Sequence, residues 1–145
     1  MSLDGAYDPD NIFAKILRGE APAAKVFEDD AVLAFMDVFP QSRGHTLVIP
    51  KAPARNLLDV DPAALSSLIA RVQTLARAVR EALQPDGLTI MQFNGAAGGQ
   101  TVYHLHFHII PRWDGEALKG HGAGGMADPA ELANLASRIA AELTP

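Results

Sequence analysis

Three histidines stand two residues apart in one short apolar stretch, Val102-Tyr103-His104-Leu105-His106-Phe107-His108-Ile109-Ile110. A period of two is a strand period. The sequence therefore predicts His104, His106 and His108 on one face of a strand, with Tyr103, Leu105, Phe107 and Ile109 facing a core on the other. At a rise of about 3.3 Å per residue, alternate Cα atoms lie roughly 6.5–7 Å apart, so three rings can share one substrate-sized site. Strand packing favours Val, Ile and Tyr and does not ask for three imidazoles. A neutral imidazole, with an ordinary pKa of about 6.5, is a good nucleophile near neutrality. One ring can attack phosphorus while a neighbour holds a phosphate oxygen or helps the leaving group. Directly before the stretch, Asn94-Gly95-Ala96-Ala97-Gly98-Gly99-Gln100-Thr101 offers glycines that let backbone N–H groups approach an anion, with Asn94, Gln100 and Thr101 as neutral donors. The combination suits phosphoryl or nucleotidyl transfer. Two further readings stand beside it: three solvated histidines on an open sheet face, or a metal site whose four ligands are completed by His45 or Asp37. Residues 94–101 also read as a simple hairpin connection, for which Asn-Gly is a familiar signal.

The elements that must hold these residues fit one domain, since 145 residues suffice for a real core. An apolar fraction of 48% and a charged fraction of 20% are ordinary for a globular protein. A net charge of -5 argues against a general nucleic-acid or membrane-surface binder. No apolar run is as long as a membrane span, and the polar N-terminus does not read as a signal peptide, so a cytoplasmic location is expected. Without cysteine there is no disulfide, thiolate zinc site or thiol nucleophile.

Asp10 or Asn11 can cap a short helix carrying Ile12, Phe13, Ile16 and Leu17, stopped by Gly19. Lys25–Glu28 and Ala31–Met36 flank Asp29-Asp30 as a hairpin, and Thr46–Ile49 is a third strand. Asp61-Pro62 opens the longest helix, with Leu65, Leu68, Ile69, Val72, Leu75, Ala76, Val79 and Leu83 on one stripe and Arg71, Arg77 and Arg80 on a solvated face. Leu88–Phe93 is a fourth strand, and the histidine stretch a fifth. Gly115, Gly120, Gly122, Gly124 and Gly125 mark a mobile segment over 112–127, with His121 exposed. Its Gly120–Gly125 matches G-x-G-x-x-G, but no strand precedes it and no βαβ unit follows. Asp128-Pro129-Ala130-Glu131 reads as a capping box before a last helix bearing Leu132, Leu135, Ile139 and Leu143. Strands grouped three and two around one long helix predict an antiparallel α+β sheet, not a doubly wound parallel one.

His104-Leu105-His106-Phe107-His108-Ile109-Ile110 resembles the signature of the histidine-triad (HIT) superfamily, His-φ-His-φ-His-φ-φ with φ apolar. Ile12-Phe13 with Lys15-Ile16, Phe27-Glu28-Asp29-Asp30, Leu33-Ala34-Phe35-Met36-Asp37, Gly44–Lys51 and Gly99–His104 resemble the Hint branch and its bacterial relatives in the same order. The resemblance divides the chain into a tail over 1–10, a HIT domain over 11–112, and a glycine-rich segment with an added helix over 113–145. It implies a homodimer that needs no cofactor or metal and hydrolyses purine nucleoside phosphoramidates or related adenylates. His106 would be the nucleophile, His108 would contact the phosphate with Thr101 beside it, and His104 and His45 would support them. Asn94, with Gly99 and Gln100 in the same loop, would approach the phosphate. Asp37 would accept the ribose hydroxyls, and Ile12, Phe13, Phe35 and Val38 would form the base pocket. On spacing alone, His45 reads as an unengaged histidine, Asp37 as a turn residue and the four apolar residues as core. Many bacterial relatives carry Cys-x-x-Cys where this chain has Asn11-Ile12-Phe13-Ala14, so no structural zinc is expected. Gln100-Thr101-Val102 and Pro111-Arg112 also fit a dinucleoside polyphosphate hydrolase. A nucleotide-binding regulatory module and a metal-dependent hydrolase are compatible with the same residues.

Overall fold

The computed structural model describes residues 3–120 and 124–143, so the expectation for His121 lies outside the described residues. The elements are α1 (Ile12–Leu17), β1 (Lys25–Glu28), β2 (Val32–Met36), β3 (Thr46–Pro50), α2 (Pro62–Leu83), β4 (Gly87–Met91), β5 (Phe107–Arg112) and α3 (Pro129–Ala141). The strands form one antiparallel sheet in the order β1-β2-β3-β5-β4, the α+β architecture the sequence predicts.

Central strands β2 and β3 are buried on both faces and read as unbroken apolar runs. Val32, Ala34, Met36 and Val48 face the core under α2 and α3, with Leu68, Val72, Leu75, Val79 and Ile139. Leu33, Phe35, Leu47 and Ile49 face the other way, onto Phe13 and Ile16 of α1. Helix α1 is short because Asn11 caps it by accepting from the Ala14 N–H and because Gly19 takes a positive φ just past its end.

Three local expectations need correction. Residues 102–106 are not strand: the fifth strand begins only at Phe107, so His104 and His106 lie in an irregular approach to it. Arg71 is not on a solvated face, because its Nε donates to Asp29 Oδ2 at 2.8 Å and ties α2 to the β1–β2 turn. Asp128 does cap α3 through the Ala130 N–H, but Glu131 lies 3.7 Å from Arg43. Lys119 and Ala127, in the segment after β5, are also tied down: Lys119 N–H donates to the Gln41 carbonyl, Gln41 Nε2 to the Lys119 carbonyl, and Ala127 N–H to the Val38 carbonyl.

Candidate active site

Register decides which face the site uses. Leu47 pairs with both Phe35 and His108, so His108 shares their face, opposite α2 and α3. Phe107 and Ile109, its neighbours, turn to the helix side, as does Leu105. His106 falls on the same side as His108, with ring centroids 4.9 Å apart. The edge of Phe13 from α1 meets the His106 ring at 4.9 Å and 90°. Alternation of side chains thus survives although regular strand does not.

Carbonyls, which only accept, and a backbone N–H, which only donates, fix the hydrogens of the four rings. His106 Nδ1 lies 2.7 Å from the His104 carbonyl and must carry the hydrogen, so Nε2 keeps its lone pair. His104 Nε2 donates to the Pro50 carbonyl at 2.8 Å. The Gln41 N–H donates to His45 Nδ1 at 3.0 Å, which places the neutral ring's hydrogen on Nε2. That Nε2 lies 2.9 Å from His108 Nδ1 and donates to it, leaving the His108 hydrogen on Nε2. With His106 neutral, the site therefore presents a lone pair at His106 Nε2 and an N–H donor at His108 Nε2.

His104 is fully buried, and burial pushes its pKa below 6.5 against the opposing pull of the Pro50 carbonyl. The unfolded chain then takes up this proton before the folded one does. His104 thus stabilises the fold fully above about pH 6.5, and that contribution falls as the pH drops below this value. An NMR titration is expected to show the His104 ring less than half charged at about pH 6.5, where half of an ordinary histidine ring is charged. Protonation at or above 6.5 would contradict the placement.

Two cavities meet at the paired rings. The larger, about 470 Å³, is walled by Ile12, Phe13, Phe35, Val38, Phe39 and Leu47, and reaches Asp37, Thr101, His106 and His108. The smaller, about 130 Å³, lies between Gln41, Phe93, Gly99, Thr101, His106 and His108. Gly99 has a φ of +100°, and a Cβ there would press on the Phe93 ring at 3.3 Å. Asp37 is buried, with Oδ1 accepting from the Phe39 N–H and Oδ2 lying 3.4 Å from His45 Nε2.

The structure therefore brings His106, His108, Thr101, Asp37, Ile12, Phe13, Phe35, Val38 and Gly99 to the cavities, with His45 and His104 behind the rings. Asn94 and Gln100 do not line either cavity. Asn94 Oδ1 accepts from the Leu57 N–H and from Gln92 Nε2. Gln100 is buried, accepting from the Gly95 N–H and donating to the Arg55 and Val102 carbonyls. Both amides hold the loop in shape. Sequence reasoning did not find Gln41, which acts through a backbone N–H, or Phe93.

Among the described residues one group has metal-ligand spacing: Asp37, His45 and His108. Its donors do not fit an ion. Ligation through His45 Nε2 would move that ring's hydrogen to Nδ1, where the Gln41 N–H already points. At the two positions where the resemblance places thiolates, Asn11 serves as a helix cap and Ala14 is buried apolar surface.

Known proteins resemble this chain over most of its length. Protein hit of Bacillus subtilis (strain 168) is 42% identical over 139 residues, which cover 91% of this chain and 93% of that one. Adenylylsulfatase HINT3 of Arabidopsis thaliana is 35% identical over 135 residues, covering 89% and 68% of the two chains. The crystal structure of a Hit-like protein from Bartonella henselae superposes with a TM-score of 0.89 at 54% identity, over 95% of this chain and all of that one. The HIT domain pattern itself matches residues 18–115, and with these relatives it shows that the chain belongs to the HIT domain family.

Proposed function

We propose that this protein is a nucleotidyl hydrolase that transfers a purine nucleoside monophosphate from a phosphoramidate or related adenylate to His106 and then to water. The observation that carries the reading is the His106 ring, whose Nδ1–H is held by the His104 carbonyl, which in the neutral ring leaves the Nε2 lone pair for attack on phosphorus. The base would sit among Phe13, Phe35, Ile12 and Val38, with the ribose toward Asp37 and the phosphate between His106, His108 and Thr101. Attack by Nε2 forms a P–N bond as the bond to the leaving group breaks, and a leaving amine takes its proton from water. The His108 N–H and Thr101 hydroxyl hydrogen-bond the phosphate oxygens. Water then attacks phosphorus and gives up a proton to solvent as the P–Nε2 bond of His106 breaks, and the nucleoside monophosphate leaves.

The relative named adenylylsulfatase supports an adenylyl group as the unit transferred. Turnover of adenosine phosphoramidate, adenylyl sulfate and diadenosine polyphosphate should be compared at equal concentration. The first two are expected to be preferred; preference for the polyphosphate would favour a dinucleoside polyphosphate hydrolase.

A homodimer belongs to the same reading. Strand β4 lies at the edge of the sheet with Ile90 44% exposed, and Leu57, 38% exposed, is tied by Asn94 to the chain leaving that strand. An apolar edge of this kind favours pairing with a second copy. Sedimentation is expected to give twice the chain mass, falling to the chain mass in Ile90→Lys; a monomeric native protein would contradict it. Among the described residues no helix is long and apolar enough to cross a membrane.

A further inference from the structure

We infer that Tyr7, in the segment before α1, is a positioning residue for the His106 nucleophile and acts through His104. The inference rests on the nucleotidyl-transfer reading of the site. The Tyr7 hydroxyl lies 2.6 Å from His104 Nδ1, and its ring meets the imidazole edge-on at 5.6 Å. Because His104 Nε2 gives its hydrogen to the Pro50 carbonyl, the tyrosine must be the donor in this contact. Both nitrogens of His104 are then engaged, and the ring can neither flip nor exchange its hydrogen between them. The carbonyl of this same residue takes the His106 Nδ1–H at 2.7 Å and so selects the nucleophile's tautomer.

The segment that brings Tyr7 here is fastened independently of the ring contact. Asn56, fully buried, donates from Nδ2 to the Leu3 carbonyl at 2.9 Å. Arg55 reaches the Ala6 carbonyl at 3.5 Å and stacks over Tyr103 at 4.3 Å. Its own carbonyl accepts from Gln100, which shapes the glycine loop. Residues 3–10, part of a tail by the sequence reading, therefore form a strap behind the catalytic rings. Removing the hydroxyl leaves a buried nitrogen without its donor and frees residue 104 to shift, which loosens the hold on His106.

The test is Tyr7→Phe, which keeps the ring packing and deletes only the donor, with Tyr103→Phe as control because it keeps the ring under Arg55. In ¹⁵N-imidazole spectra of the ligand-free protein, His106 is expected as one Nδ1–H tautomer in the native chain and in Tyr103→Phe, and as a mixture in Tyr7→Phe. With adenosine phosphoramidate, Tyr7→Phe is expected to lower kcat about tenfold with KM little changed, as for a small misplacement of a reacting group. His106 resonances in Tyr7→Phe that superimpose on the native ones would overturn the inference. The spectra are read without substrate, so they judge Tyr7 separately from the proposed reaction.

Discussion

Replacing His106 by alanine is expected to lower turnover by at least about 10⁴-fold, as for removal of the nucleophile in other covalent mechanisms. No neighbouring ring can take over. His108 Nδ1 accepts from His45 and its Nε2 carries a hydrogen, while His104 is buried with one nitrogen on Pro50 and the other on Tyr7. Nucleotide binding should survive, because the base cavity is built from α1, β2 and β3, and the lost ring meets that wall through its edge contact with Phe13. Affinity for the nucleoside monophosphate is expected to stay within about threefold, less than about 0.7 kcal/mol. Titration calorimetry beside steady-state kinetics separates the two quantities. Turnover retained within about tenfold of the native rate would remove His106 from the nucleophile's role.

Gly44→Ala is expected to destabilise the fold by about 2 kcal/mol, lowering the melting temperature by roughly 5 °C, and to reduce activity with it. Gly44 has a φ of +91°, which strains any residue with a Cβ. A Cβ there would run into Leu83 Cδ1 and stand 3.2 Å from Pro111 Cγ. Leu83 can turn its methyl only within a packed core, and the proline ring cannot turn at all. The next residue is His45, so backbone movement here displaces the nitrogen that sets the tautomer of His108. Thermal melts and kcat on one preparation check both effects. An unchanged melting temperature would show that the loop relaxes freely, contrary to its packing.

Much of this arrangement is legible in the residues themselves. Alternation around His106 and His108 reads correctly because Leu105, Phe107 and Ile109 carry the apolar burial that sets the face. The strand's start does not read, because the Pro50 carbonyl takes the His104 ring N–H and the Leu105 N–H goes to the Ala54 carbonyl, so the ladder with β3 begins only at Phe107. Asp37 and Phe13 are ordinary turn and core residues until tertiary register brings them to one wall. Residue type misleads for Asn94 and Gln100: the Asn94 amide donates to Gln92 Oε1 while its oxygen accepts from the Leu57 N–H, and the Gln100 amide donates to the Arg55 and Val102 carbonyls. Gln41 and Tyr7 carry no local signal. One acts through a main-chain N–H, and the other reaches a ring 97 positions away.

The central claim is that an uncharged nitrogen of His106 becomes bonded to phosphorus. The stereochemical course at that phosphorus tests it most directly, using one diastereomer of an adenosine phosphoramidothioate hydrolysed in ¹⁸O-water. Two successive displacements give net retention, and retention is the expected result. Net inversion would mean that water attacks phosphorus in a single step and that no bond to His106 ever forms.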